Sequence, residues 1–108
     1  MADFFIIQSR EPFSDMQAKS DFELIHNLAS SGNNVTVLLI QNGVLPARRN
    51  SLSKEFDKLC YSDVNIMADS FSLSQREIKS TELKMGVRIS DVKEAVSAML
   101  LGHRVIWH

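Results

Sequence analysis

Along the chain, short uninterrupted apolar runs alternate with apolar residues spaced three and four apart. That alternation predicts the order β-α-β-α-β-α-β-α-β. Residues 3–8 hold the run Phe4-Phe5-Ile6-Ile7, the pattern of a strand covered on both faces. After a polar loop containing Pro12, Ser14 and Gln17 have the spacing of a capping box. The helix behind it carries Ala18, Phe22, Ile25 and Ala29 on one face, and Gly32 is placed to end it. Residues 35–40 form a second, β-branched strand leading into Gln41-Asn42-Gly43-Val44, a turn whose glycine suits positive φ. Beyond Pro46, a second helix aligns Leu52, Phe56, Leu59 and Cys60 in one stripe.

Residues 64–68 read as a third strand. Ser72 and Gln75 suggest a capping box for a short helix reaching about Lys79, whereas residues 80–86 carry no clear pattern. Val87-Arg88-Ile89 is a brief fourth strand. Asp91 with Glu94 caps a last helix, whose apolar face holds Val92, Ala95, Val96, Met99 and Leu100 before Gly102. Residues 104–107 are the final strand. Strands alternating with helices imply right-handed crossovers and a sheet sandwiched between helix layers. No repeat or linker divides the chain, so residues 1–108 read as one domain.

Composition changes this picture little. Twelve basic residues against thirteen acidic ones give a net charge of -1, with no field to steer the chain to nucleic acid. No run is long enough to span a membrane, and the first apolar run is too short for a signal peptide. The single cysteine excludes an intramolecular disulfide framework, and a reducing cytoplasm is the expected setting.

In an open α/β sheet, ligands gather beyond the carboxyl ends of the strands. Here those loops are residues 9–13, 42–49, 69–71 and 90–91. They hold neither G-x-G-x-x-G nor a P-loop nor a G-x-S-x-G elbow. Gln8, Ser9 and Arg10 stand where a phospho-receiver would place acids. His26, His103 and His108 are scattered without a third ligand, so neither metal nor cofactor is expected. Asn42, Gly43, Arg48, Asp69 and Ser70 are the candidate ligand-pocket residues. Arg48 beside Arg49 suits a bidentate clamp on an oxyanion, though a solvated helix start is the favoured account of the pair. Asp69 suits substrate orientation or a helix cap. Cys60 is the only strong nucleophile, but a helix end and an apolar stripe favour a buried, inert thiol. Phe4, Phe13, Phe71 and Trp107 near strand ends are candidate interface residues.

The segments FFIIQS, VTVLLIQNGVLPARRN, VNIMADSFSLSQREI and GVRISDVKEAVSAMLLGHRVIWH, in this order, resemble the DsrE/DsrF/DsrH family. That family includes the TusB, TusC and TusD sulfur-relay subunits, and the last segment is most similar to the DsrH/TusB branch. The resemblance implies a three-layer, flavodoxin-like α/β domain with a mostly parallel sheet of about five strands. It also implies homo- or hetero-oligomers, other sulfur-relay proteins as partners, and cytoplasmic traffic of persulfide sulfur on a cysteine. In the DsrE/TusD branch that cysteine lies in the loop after the strand matched here by residues 64–68. This chain has Asp69-Ser70-Phe71 there, and Cys60 precedes the strand. The resemblance therefore implies an accessory, non-catalytic subunit. The alternatives are a sulfurtransferase carrying persulfide on Cys60 and an oligomeric module that binds a small ligand or anion.

Overall fold

The computed structural model describes residues 1–108. Its elements are β1 (Asp3–Gln8), α1 (Gln17–Ser30), β2 (Asn34–Leu39), α2 (Lys54–Cys60), β3 (Asn65–Asp69), α3 (Ser70–Gln75), β4 (Val87–Ser90), α4 (Lys93–Leu100) and β5 (Arg104–Trp107). A 3₁₀ run, Gln41–Ala47, follows β2, and a single 3₁₀ turn, Ser80–Glu82, precedes β4. The five strands form one sheet in the order β4-β3-β2-β1-β5, every neighbouring pair parallel.

This order distributes the helices unequally. From β1 to β4 the chain steps across the sheet in one direction, so right-handed crossovers put three helices on one face. There Phe22 and Ile25 of α1, Phe56 and Leu59 of α2 and Leu73 of α3 pack on Ile6, Val37, Leu39, Ile66 and Ala68. Phe22 and Phe56 meet edge to face, with ring centroids 5.8 Å apart. The return from β4 to β5 recrosses the sheet and leaves α4 alone on the other face. Its Ala95 and Ala98 lie against Phe5, Ile7, Leu38, Ile40 and Met67. Small alanines let the helix sit low enough to bury those strand side chains under one element.

Several expected local details differ. Ser14 does not cap α1; its hydroxyl bonds the Glu11 carboxylate, while Asp15 accepts the Gln17 amide at 2.9 Å. Leu52 precedes α2 and is exposed, because Ser53 caps the helix at the Phe56 amide and starts it later. Asp69, not Ser72, caps α3, which stops at Gln75. Gly43 does not use positive φ; Gln41 takes that conformation, at φ 51°. Of the apolar face expected on α4, only Ala95 is buried, and Val92, Val96, Met99 and Leu100 are exposed. Gly32 and Gly102 do end their helices with positive φ.

Candidate functional site

The carboxyl ends of β1, β2 and β3 bring two polar networks to one edge of the sheet. The first joins the loop after β2 to the loop after β3. Asp69 Oδ2 accepts the Ser72 amide at 3.0 Å and the Ser72 hydroxyl at 2.7 Å, and Ser72 Oγ in turn accepts the Gln41 amide at 2.8 Å. Arg76 Nε and Nη2 donate to Asn42 Oδ1 at 3.1 and 3.0 Å. Asp69 is buried, and its Oδ2 holds this corner through both Ser72 bonds. Ser70 and Phe71 are exposed at its tip.

Of the candidate pocket residues, Asn42, Gly43, Asp69 and Ser70 therefore share this corner. Arg48 stands apart, at the far end of the 3₁₀ run. Its Nε donates to the Leu45 carbonyl at 3.2 Å, and it lines an open cavity of about 350 Å³ with Arg49, Ser51, Thr81 and Glu82, all polar residues. Gly43 is present for space: a Cβ there would collide with the Gln8 carbonyl oxygen.

Sequence reasoning missed the second network. Gln8 and Asp21 are buried, and Gln8 Nε2 donates to Asp21 Oδ2 at 3.0 Å. Arg10 grips the same carboxylate bidentately, Nε at 2.8 Å and Nη2 at 2.7 Å. His108 Nδ1 lies 3.0 Å from Gln8 Oε1 and 3.6 Å from Asp21 Oδ1. Gln8 spends its amide hydrogens on Asp21 and on the Arg10 carbonyl, so the hydrogen of the His108 contact belongs to the imidazole. One signal was available: Asp21 falls on the apolar stripe of α1, between Ala18 and Ile25.

Burial holds the His108 imidazole below its ordinary range; Asp21 opposes this and Arg10 reinforces it. The folded protein thus prefers neutral His108, and the unfolded chain takes up the proton first as the pH falls. Stability should therefore drop as the pH is lowered through the imidazole's ordinary value of about 6.5. Urea unfolding at pH 7.5 and pH 5.5 measures that drop, which should shrink in His108→Gln. An equal drop in the variant would place its origin elsewhere.

Cys60 sits at the opposite end of the sheet, before β3. It is half-buried, short of the full burial its stripe predicts, because α2 ends there. It lines a cavity of about 560 Å³ with Arg49, Asp57, Tyr61, Lys84 and Met85. Burial pushes its thiol up, Lys84 pulls it down and Asp57 adds to the rise. Lys84 is itself held by Asp57 at 2.6 Å. The length of β3 puts Cys60 roughly 15 Å from the Asp69 corner. His26 bonds Ser62 at 3.0 Å, and no group of three or more His, Cys, Asp or Glu is arranged to hold a metal. No helix is long and apolar enough to cross a membrane.

A five-stranded parallel sheet with helices on both faces, and polar loops at its carboxyl edge, defines an α/β protein of the flavodoxin-like class. Two solved structures share this fold. The ychN protein from E. coli matches with a TM-score of 0.88 at 17% identity, covering 100% of both chains. A protein of unknown function, MTH1491 from Methanobacterium thermoautotrophicum, matches with a TM-score of 0.82 at 21% identity, covering 99% of this chain and 98% of its own. No curated protein matches the sequence. The model of the DsrE/DsrF-like family matches residues 2–108, and the chain belongs to that family.

Proposed function

We propose that this protein is an accessory subunit of a cytoplasmic persulfide-relay assembly, supplying shape and contact surface in place of the sulfur-carrying thiol. One observation carries the reading. The loop where the resemblance puts a persulfide cysteine is Asp69-Ser70-Phe71, and its acid is consumed in capping α3. The only thiol lies at the other end of β3, with its ionisation suppressed by burial. A thiolate is the species that attacks a sulfane sulfur, so suppressed ionisation slows uptake.

Cys60 in native protein should react slowly with iodoacetamide at neutral pH, and quickly once the chain is unfolded in urea. Intact mass after treatment with inorganic polysulfide should show no added sulfur on native protein, whereas unfolded protein gains it. Rapid native alkylation together with sulfur uptake on Cys60 would overturn the accessory reading in favour of a sulfurtransferase. The second reading has one observation behind it: Cys60 opens to a cavity that also holds Arg49 and Lys84. In a reconstituted relay, the accessory role requires Cys60→Ala to support sulfur transfer as well as wild type does.

A further inference from the structure

Arg48 and Arg49 do not open a helix. α2 begins at Lys54, behind its Ser53 cap, and the two arginines sit where distant stretches of chain are sewn together. The Arg49 amide donates to the Glu82 carbonyl at 2.7 Å and the Lys84 amide to the Ala47 carbonyl at 2.8 Å. Arg48 bridges Leu83 in antiparallel register between them. The polar cavity of about 350 Å³ lies against this seam. Each guanidinium there is held at one end and open at the other. Arg48 is anchored through Nε on the Leu45 carbonyl, which leaves both of its Nη groups. Arg49 Nη1 donates to the Thr81 carbonyl at 3.2 Å, which leaves Nε and Nη2. These anchors are carbonyls, so they orient the side chains without cancelling their charge. No ion pair claims either arginine, whereas Arg10 is paired with Asp21, and Lys84, across the adjoining cavity, with Asp57. Asn50 and Thr81 bring an amide and a hydroxyl to the same lining. Glu82 is the one acid in it, and its Oε1 accepts the Lys79 amide at 2.9 Å.

We infer that this cavity binds a tetrahedral oxyanion, of the phosphate or thiosulfate class, between Arg48 and Arg49. Two guanidinium forks match the oxygens of such an anion in pairs, where a lysine would offer only a point charge. Two uncancelled positive charges against one acid favour a dianion over a carboxylate. Anchoring on carbonyls fixes part of each long side chain before the ligand arrives, which lowers the ordering cost of binding. The cavity volume is at the low end for ligand pockets, which suits a free anion or a small molecule that carries one. Glu82 opposes the ligand, so its neutralisation should act in the opposite sense to loss of an arginine. The inference does not rest on the accessory reading. Arg49 also borders the Cys60 cavity, but binding makes no use of the thiol.

Nuclear magnetic resonance titration of the nitrogen-labelled full chain tests the site, with sodium phosphate and, separately, sodium thiosulfate. Sodium chloride holds the ionic strength constant, so that general screening drops out. Saturable shifts should appear at the Arg48 and Arg49 Nε–H signals and at the Asn50 and Thr81 amides. Arg49→Gln, which keeps a donor for the Thr81 carbonyl, should weaken binding at least about fivefold. Glu82→Gln, whose amide oxygen still accepts from Lys79, should tighten it about twofold. Cys60→Ala should bind as wild type does. Amide signals away from the two stretches report that each variant is folded; if Arg49→Gln is not, Arg48→Gln takes its place with the same expected loss. Tighter phosphate binding would assign a phosphorylated ligand, and tighter thiosulfate binding a sulfur oxyanion. Shifts that stay linear with both anions into the tens of millimolar would overturn the inference. So would a folded arginine variant that binds as tightly as wild type.

Discussion

Asp21→Ala should lower the unfolding free energy by about 2 kcal/mol, a large share of the stability of a domain this size. The carboxylate is buried and accepts from three donors: Gln8 Nε2, Arg10 Nε and Arg10 Nη2. Removing it leaves one Gln8 amide hydrogen without its acceptor, since the Arg10 carbonyl and His108 still engage the rest of that amide, and releases Arg10, whose side chain is about one-third exposed and regains water. That buried, unpaired N–H bears most of the penalty, because it gives up its acceptor without regaining water. Asp21→Asn keeps the shape but sets an amide N–H₂ among donors, so it should recover only part of the loss. Urea unfolding followed by far-ultraviolet dichroism measures both variants. A loss below about 1 kcal/mol for the alanine variant would mean that the network is solvated and structurally idle.

Gly43→Ala should cost about 2–3 kcal/mol, from crowding and not from backbone conformation. The added methyl would meet the Gln8 carbonyl oxygen and come within 3.2 Å of the Ser9 Cα, all of it backbone that cannot rotate away. That carbonyl accepts the Ile40 amide at 3.0 Å, so moving it disturbs the end of the β1–β2 ladder as well. Gly43 φ is not positive, so no strain offsets or adds to the clash. A thermal midpoint matching wild type would show that the loop after β2 shifts freely. The residue would then become a candidate for ligand contact instead of packing.

These two positions mark where the sequence was legible and where it was not. The strands at β1 and β2 and the stripe on α1 follow from local pattern, because burial on both faces leaves no choice but continuous apolar residues. Gly32 and Gly102 announce helix ends by the same local logic. Gly43 looked like a turn residue because a strand followed by Asn-Gly ordinarily is one. Its real constraint is the neighbouring strand, 35 positions earlier in sequence at Gln8, and no local window contains that.

The polar network failed for a related reason. Gln8 and Asp21 are each ordinary in their own segments and become partners only through the packing of α1 on β1. On α4, Val92, Ala95, Val96, Met99 and Leu100 cover too much of the helix for pattern to say which side meets the sheet. The alanines won because the single helix on that face must approach closely. Asn42, Gly43, Asp69 and Ser70 lie together at the Asp69 corner, as the order of strands and loops alone would bring them. Arg48 lies apart from them because a seven-residue 3₁₀ run carries the chain away from the strand end before reaching it.

The first strand and the last are partners. β5 pairs with β1, and the His108 amide and oxygen continue the pairing to Ile7, Ser9 and Arg10. During synthesis β1 emerges first, and β2 can pair with one side of it early. Its other side stays an open edge until nearly a hundred further residues have been made, since Ser9 and His108 are 99 positions apart. The nascent chain therefore carries an apolar, unpaired strand edge through most of its translation, and closing it is a late, long-range event. Until the β5 segment is made, that edge offers a wrong partner the same hydrogen bonds that β5 later takes.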